Sequence, residues 1–423
     1  MGTVCSLAMQ DVFSIDVVEM DVCSSDYVVE GQLKEVEMER YKVVIFREKG
    51  QVRAFSGLCP QYRAPLKNGA LDEGIIRCAW HGACFDSVTG DIDDFPGVDS
   101  LVRFEAEERD GVIKVRASKS MLEEGRRRKP VCKMTEMENK VVVIGGGGAG
   151  FNVVKTLREE GFGGQICLVS AEACLPYDRP RLSKVYGVEH KDIELRESAW
   201  YDAADITVML DTEVVSIDAT EKNVITQHGD KIEYTDLVLA VGSSPKDLGV
   251  PGEQLQGVTG LRSSEHMQDI YTKIKGEGKH VVVIGSSFIG MEVAGLLVDK
   301  VESVTVVGRD SFPFRKTLGE KIGKVVMRIH KKRGVKFRML EEVLEFEGSN
   351  GLVEKVKLNN SEDIKADLVI IAVGVVPCSS VYSTIPGLDL DATGRILVDK
   401  RMASTVPGIW AAGDITNFPL TTW

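Results

Sequence analysis

Two short loops carry the residues best suited to redox chemistry. Cys59-Pro-Gln61 is followed, after sixteen intervening residues, by Cys78-Ala-Trp-His81. Cysteine thiolates and imidazoles paired in this way are ligands for an iron–sulfur site. One position breaks the pattern, because Gln61 stands where a metal ligand is expected. Imidazole is a good neutral nitrogen ligand for iron. A carboxamide offers a neutral oxygen and a nitrogen committed to resonance, and is a poor substitute. Arg63 adds bulk and positive charge to the same loop. Two readings stay open. Either the loops keep their fold and bind no normal cluster, or they hold a modified cluster with Gln61 or solvent as the fourth ligand. Cys84 reads as structural. Cys5, Cys23, Cys132 and Cys378 have no partner spacing and read as small apolar residues.

Two glycine turns offer phosphate-binding chemistry. VVVIGGGGAGFNVV places Gly145, Gly147 and Gly150 between a strand and a helix. Gly145 permits the tight turn, Gly147 lets the backbone approach a pyrophosphate, and Gly150 lets the helix pack against the strand. The helix N-terminus then offers free N–H groups to the phosphates. Glu172, 22 residues after Gly150, is placed to hold ribose hydroxyls. HVVVIGSSFIGMEVA repeats the pattern with Gly285, Ser287 and Gly290. The Ser287 hydroxyl is a mild obstacle that could donate a hydrogen bond to phosphate. The next strand reads SVTVVGRD (303–310), with Gly308 in the slot where an NAD enzyme carries an acid. Arg309 could accommodate a 2′-phosphate, and Asp310 could instead reach the ribose. NADH and NADPH both remain open. Cys167 and Cys174, seven residues apart, lack the close pairing of a thiol–disulfide reductase, and Cys167 reads as core.

These groups must be positioned by a multidomain chain. A length of 423 residues fits roughly three domains. Hydrophobic residues are 43% and charged residues 27%, ordinary for a globular protein. No apolar run is long enough to span a bilayer, and no secretory signal is visible. The net charge of −12 disfavours nucleic acid as a partner. Residues 1–117 are rich in short β runs, such as YKVVIFRE, QVRAFSG and GVIKVRA, punctuated by EKG, KNG, DEG and RDG. That predicts a small all-β domain. The polar, basic stretch 118–138 reads as a linker. From Lys140 onward, apolar strands alternate with helix-length segments, as in parallel α/β architecture. The similarity of 140–157 to 280–297 points to a duplicated Rossmann-type nucleotide-binding fold.

Three further segments, LPYDRPRLSK (175–184), LAVGSSP (239–245) and VPGIWAAGD (406–414), agree in order and spacing with one family. The chain resembles the FAD-containing pyridine nucleotide oxidoreductases, specifically the ferredoxin reductases and the apoptosis-inducing-factor group. The resemblance implies that Arg179 and Lys184 contact the flavin, with Lys184 near its reactive edge. It places Gly242 in the FAD site, Asp414 on the ribityl chain, and Glu292 against Lys184 beside the isoalloxazine. The second turn becomes the NAD(P)H site. An FAD domain built from 139–255 and 370–423 would enclose an NAD(P)-binding domain at 256–369.

The N-terminal loops resemble the Rieske signature Cys-x-His … Cys-x-x-His, which assigns Cys59, Cys78 and His81 as [2Fe–2S] ligands and puts Gln61 at the fourth position. The phrase WHGACFDSVTGDIDDFPG (80–97) strengthens the likeness. Ala64 and Trp80 occupy the places of the disulfide in respiratory members, so the domain resembles the ferredoxin type. Over nearly its whole length the chain is similar to a Rieske-containing, apoptosis-inducing-factor-like group. The implied reaction carries hydride from NAD(P)H to FAD and single electrons onward to an acceptor such as a redox protein, with the Rieske centre as a relay. Family members continue into a C-terminal interface domain, which a chain ending at Trp423 is expected to lack; oligomeric state stays open. The rival expectation is a non-enzymatic, pro-apoptotic interaction protein or inactive paralogue with a degenerate Rieske site. Either would be intracellular, cytoplasmic or mitochondrial.

Overall fold

The computed structural model describes residues 16–419 except Phe95 and Ser361, so Cys5 lies outside the described residues. The chain divides into two compact units, Met1–Pro130 and Val131–Trp423.

In the first unit, β-branched and aromatic residues alternate into two antiparallel sheets. One has six strands in the spatial order Val17–Ser24, Val112–Ser118, Arg103–Arg109, Gln51–Ser56, Tyr41–Glu48, Lys34–Met38. The other has four, running Ala70–Asp72, Ile75–Arg77, Cys84–Asp86, Ile92–Asp94. Lys49-Gly50, Glu73-Gly74 and Asp110-Gly111 all sit at positive φ. Two successive left-handed residues make the tight hairpin turn whose twist matches that of the strands. These turns fix the register at Glu48↔Gln51, Asp72↔Ile75 and Arg109↔Val112.

The stretch 118–138, expected to be a linker, divides instead. Lys119–Glu124 is helical, with the Ser118 hydroxyl accepting from the Met121 N–H at its start. Leu122 is buried in the core of the first unit. Arg126 pairs with Asp99, and Arg127 with Asp91. Two residues of the basic cluster are therefore paired with carboxylates of their own unit, and the boundary falls after Pro130.

The second unit contains two five-stranded parallel sheets. The first runs Ile206–Met209, Gln165–Val169, Lys140–Ile144, Asp236–Leu239, Ile409–Ala411. The second runs Val258–Gly260, Leu368–Ile371, His280–Ile284, Ser303–Gly308, Lys336–Met339. Their strands read as continuous apolar runs because both faces are covered. The strand Leu368–Ile371 belongs wholly to the second sheet, so the expected break between 369 and 370 falls inside a strand. Arg158 is fully buried and donates to the carbonyls of Ala204, Gly164 and Asp205 at 2.7, 2.8 and 3.0 Å. It ties the end of the helix Gly148–Glu159 to two loops of the first sheet. Burial pulls its guanidinium below the usual arginine range.

Candidate flavin, nicotinamide and iron–sulfur sites

Each glycine turn leaves the central strand of its sheet and enters a helix, Gly148–Glu159 in one case and Phe288–Leu297 in the other. Gly145 has φ 118° and Gly285 φ 113°. A Cβ on either would lie 2.2 Å from a carbonyl oxygen, that of Ala240 or Ala372. A Cβ on Gly150 or Gly290 would lie 1.9 or 2.1 Å from the carbonyl oxygen of Gly145 or Gly285. Those four positions admit only glycine. The middle position is different. Gly147 has φ −84°, and the nearest atom to a Cβ there is a guanidinium nitrogen of Arg179 at 3.9 Å. Ser287 has φ −104° and is exposed, so its side chain costs no backbone strain.

Around the first turn, polar groups form a connected chain. Glu172 ion-pairs with Arg179 and accepts a 2.7 Å hydrogen bond from the Tyr177 hydroxyl. Arg179 donates to the Tyr177 oxygen at 2.9 Å and to the Arg262 carbonyl at 3.0 Å. Arg262 donates in turn to Asp414 Oδ2 at 2.9 Å, an atom that also accepts from the Ser243 hydroxyl at 2.7 Å. Gly242 has φ 73°, and a Cβ there would sit 3.2 Å from the Arg262 guanidinium. Burial works most strongly against the Arg179 charge, but Glu172, Tyr177 and Cys174 together outweigh it and raise its pKa. Burial pushes the Tyr177 phenol up as well. Both oxygens of Glu172 thus accept from protein groups, and each keeps a lone pair for a further donor such as the expected ribose hydroxyl.

Lys184 and Glu292, 108 residues apart, meet at 2.8 Å. Glu292 Oε2 also accepts from the Ser183 hydroxyl, and Lys184 Nζ donates to the Pro180 carbonyl at 3.1 Å. The short helical turn Arg179–Ser183 presents this group, and it packs on the helix that starts at the second turn. The pair is about one-third exposed on each side. Such a pair contributes only about 0–1 kcal/mol to stability. Sequence reasoning missed Ser183, Ser243, Tyr177 and Arg262. The first three lie inside motifs that were read for other residues, and Arg262 carries no motif at all.

At the end of the strand Ser303–Gly308, a Cβ on Gly308 would meet Ser286 Oγ at 2.8 Å. The slot that an acid would occupy is thus lined by the movable ends of Ser286 and Met339. Arg309 is exposed, and Asp310 lies 3.9 Å from Lys316.

The two cysteine loops share one backbone pattern. The N–H of Cys59 bonds the Ala64 carbonyl and that of Cys78 the Ala83 carbonyl, both at 2.9 Å. The Cys59 carbonyl accepts from Arg63 N–H at 3.0 Å, and the Cys78 carbonyl from Gly82 N–H at 3.1 Å. Both thiols are buried and adjacent. Burial pushes the Cys59 thiol well up, while the main-chain N–H groups of Gln61 and Tyr62 pull it down. His81 is exposed, its ring edge-on to Tyr62 at 5.0 Å. Among the described residues no three His, Cys, Asp or Glu side chains converge on one ion. A [2Fe–2S] cluster does not require that, because its cysteines and histidines serve different irons. Gln61 Oε1 is buried and has no hydrogen-bond partner. An orphan acceptor of this kind costs about 1–3 kcal/mol. The loop backbone and three ligand types fit a cluster, and the orphan oxygen sits on the residue at the fourth position. Cys84 is buried and donates to the Gly82 carbonyl at 3.3 Å, and Cys167 is buried in the first sheet.

The fold and these sites define an FAD-dependent NAD(P)H oxidoreductase with an N-terminal Rieske domain. Residues 139–423 match the pyridine nucleotide-disulphide oxidoreductase family, to which the chain belongs, and residues 18–105 match the Rieske [2Fe–2S] domain. The chain is 39% identical to human apoptosis-inducing factor 3 over 411 residues, covering 96% of this chain and 67% of that protein. It is 34% identical to the ferredoxin–NAD(+) reductase subunit of the benzene 1,2-dioxygenase system of Pseudomonas putida, over 67% of this chain and 68% of the relative. Among solved structures, the ferredoxin reductase of the CYP199A2 system from Rhodopseudomonas palustris superimposes with TM-score 0.63 at 30% identity, covering 66% of this chain and 69% of that one. The chain passes electrons from NAD(P)H through FAD to an acceptor. No helix among the described residues is long and apolar enough to cross a membrane.

Proposed function

We propose that the first glycine turn holds FAD, that the second holds the nicotinamide coenzyme, and that Lys184 and Glu292 stand at the edge where the two react. The observation that carries this is the 2.8 Å Lys184–Glu292 contact, which joins the segment 175–184 to the helix behind the second turn. Bound FAD supplies the hydride-accepting chemistry, and the protein supplies position and electrostatics. Gly145, Gly147 and Gly150 bring backbone N–H groups to one pyrophosphate, and Gly285, Ser287 and Gly290 do so for the other. Arg179, held by Glu172 and Tyr177, offers its charge beside Gly147. Asp414, held by Ser243 and Arg262, offers an acceptor to the ribityl hydroxyls. Lys184 places positive charge where the flavin edge gains electrons, and Glu292 together with Ser183 fixes its ammonium.

Arg309, with Gly308 in the acid's slot, supports NADPH as the preferred coenzyme. The acceptor we infer is a small redox protein. This rests on relatives such as the Pseudomonas putida ferredoxin–NAD(+) reductase subunit, and on a solved covalent complex of putidaredoxin reductase with putidaredoxin, to which the chain is 29% identical with TM-score 0.63. A cytoplasmic or mitochondrial compartment accords with such partners. The test is anaerobic addition of NADPH to the purified yellow protein. The visible flavin band should bleach, more readily than with NADH. A colourless protein that takes up no FAD would instead support the non-enzymatic interaction role.

A further inference from the structure

The departure at Gln61 need not abolish the N-terminal site. Two independent observations bear on it. The first is the loop itself. Arg63 holds φ 60°, the left-handed region, as its counterpart Gly82 does at φ 79°. A side-chain-bearing residue resists that conformation, yet the loop keeps it and so keeps both main-chain bonds of the cysteine pattern. The frame that presents the ligand positions is therefore intact despite the substitutions within it. The second is the orphaned Gln61 Oε1, which is buried with no protein donor facing it. Gln61, two residues after the buried Cys59, thus carries one unsatisfied buried oxygen.

We propose that Gln61 Oε1 is the fourth protein ligand of a [2Fe–2S] cluster, on the iron also bound by His81, with Cys59 and Cys78 on the other. This rests on the Rieske match of residues 18–105 and not on the flavin reading. An amide oxygen is a weaker donor than imidazole but, like it, neutral. The cluster charge is that of a Rieske centre, so its potential stays nearer the Rieske range than that of an all-cysteine cluster.

The test reconstitutes the full chain anaerobically with ferrous iron and sulfide, then reduces it with dithionite for continuous-wave and pulsed EPR. The wild type should retain a cluster whose spectrum shows one strongly coupled imidazole nitrogen. Gln61→His should retain it and add a second such nitrogen. Gln61→Glu, which keeps an oxygen donor of the same reach, should retain it with a shifted g-tensor. Gln61→Ala should lose most of its iron, with far-UV circular dichroism confirming the fold. Three results overturn the proposal: a wild type that retains no cluster, whatever Gln61→His does; Gln61→Ala with full iron and an unchanged g-tensor; or broadening by ¹⁷O-labelled water that marks solvent as the ligand. Bleaching of the flavin band by NADPH reads the other unit, so failure of the two readings can be told apart.

Discussion

The two glycine turns lie 140 residues apart, and at their three fingerprint positions they differ only at the middle one, Gly147 against Ser287. The outer glycines face carbonyl oxygens that leave no room for a Cβ. The middle residue has an extended backbone; a Cβ at Gly147 would approach only the Arg179 guanidinium, and Ser287 is exposed. Serine is therefore tolerated at 287 and would have been excluded at 285 or 290. The cysteine loops follow the same logic. Beside Gly82 the nearest atom to a Cβ is an Arg77 guanidinium nitrogen at 3.7 Å, and the matching position holds Arg63. In both comparisons the residues differ at a position where a Cβ on the glycine would meet a side chain and not backbone.

This comparison can be pressed at decreasing strength. The largest effect should come from Gly150→Ala or Gly290→Ala, where a methyl is forced against backbone. Each should cost about 3 kcal/mol or more, the upper end of overpacking, read as a lowered urea midpoint with loss of the matching nucleotide. Next, Lys184→Ala should slow anaerobic flavin reduction by roughly 100- to 1,000-fold, the scale of losing one charge-stabilising donor, while visible absorbance shows FAD still bound. Glu292→Gln should slow it less, because Ser183 and the Pro180 carbonyl still hold the neighbourhood. Arg309→Ala should raise the KM for NADPH by about 10-fold, one lost charge contact of ~1.4 kcal/mol, and leave that for NADH unchanged. The smallest effect should be Ser287→Gly, which should change the KM for the nicotinamide by less than about 3-fold, or ~0.7 kcal/mol.

Much of this was legible before the fold was known. Both glycine turns announce themselves by spacing, because their outer glycines answer to backbone carbonyls of the turn itself and of the end of the neighbouring strand. The hairpin turns at Lys49-Gly50 and Asp110-Gly111 were marked by their local chemistry. The extent of the first unit was not, since the helix Lys119–Glu124 owes its place to one buried residue, Leu122, and the basic run beyond it finds Asp91 and Asp99 only in three dimensions. Glu172 was read by its distance from Gly150, which says nothing of Arg179 claiming one of its oxygens and Tyr177 the other. Arg262 was invisible, being brought to Asp414 across 152 residues.

The account's central claim is that two similar turns serve two different cofactors. Aspartate substituted at each middle position tests it directly, since both positions accept a side chain and the added charge would oppose a pyrophosphate. Gly147→Asp should yield folded, colourless protein. Ser287→Asp should yield yellow protein whose visible band is bleached by dithionite but not by NADPH. If the Ser287→Asp protein bleaches with NADPH as the wild type does, or if Gly147→Asp retains its flavin, the division of labour between the turns is contradicted.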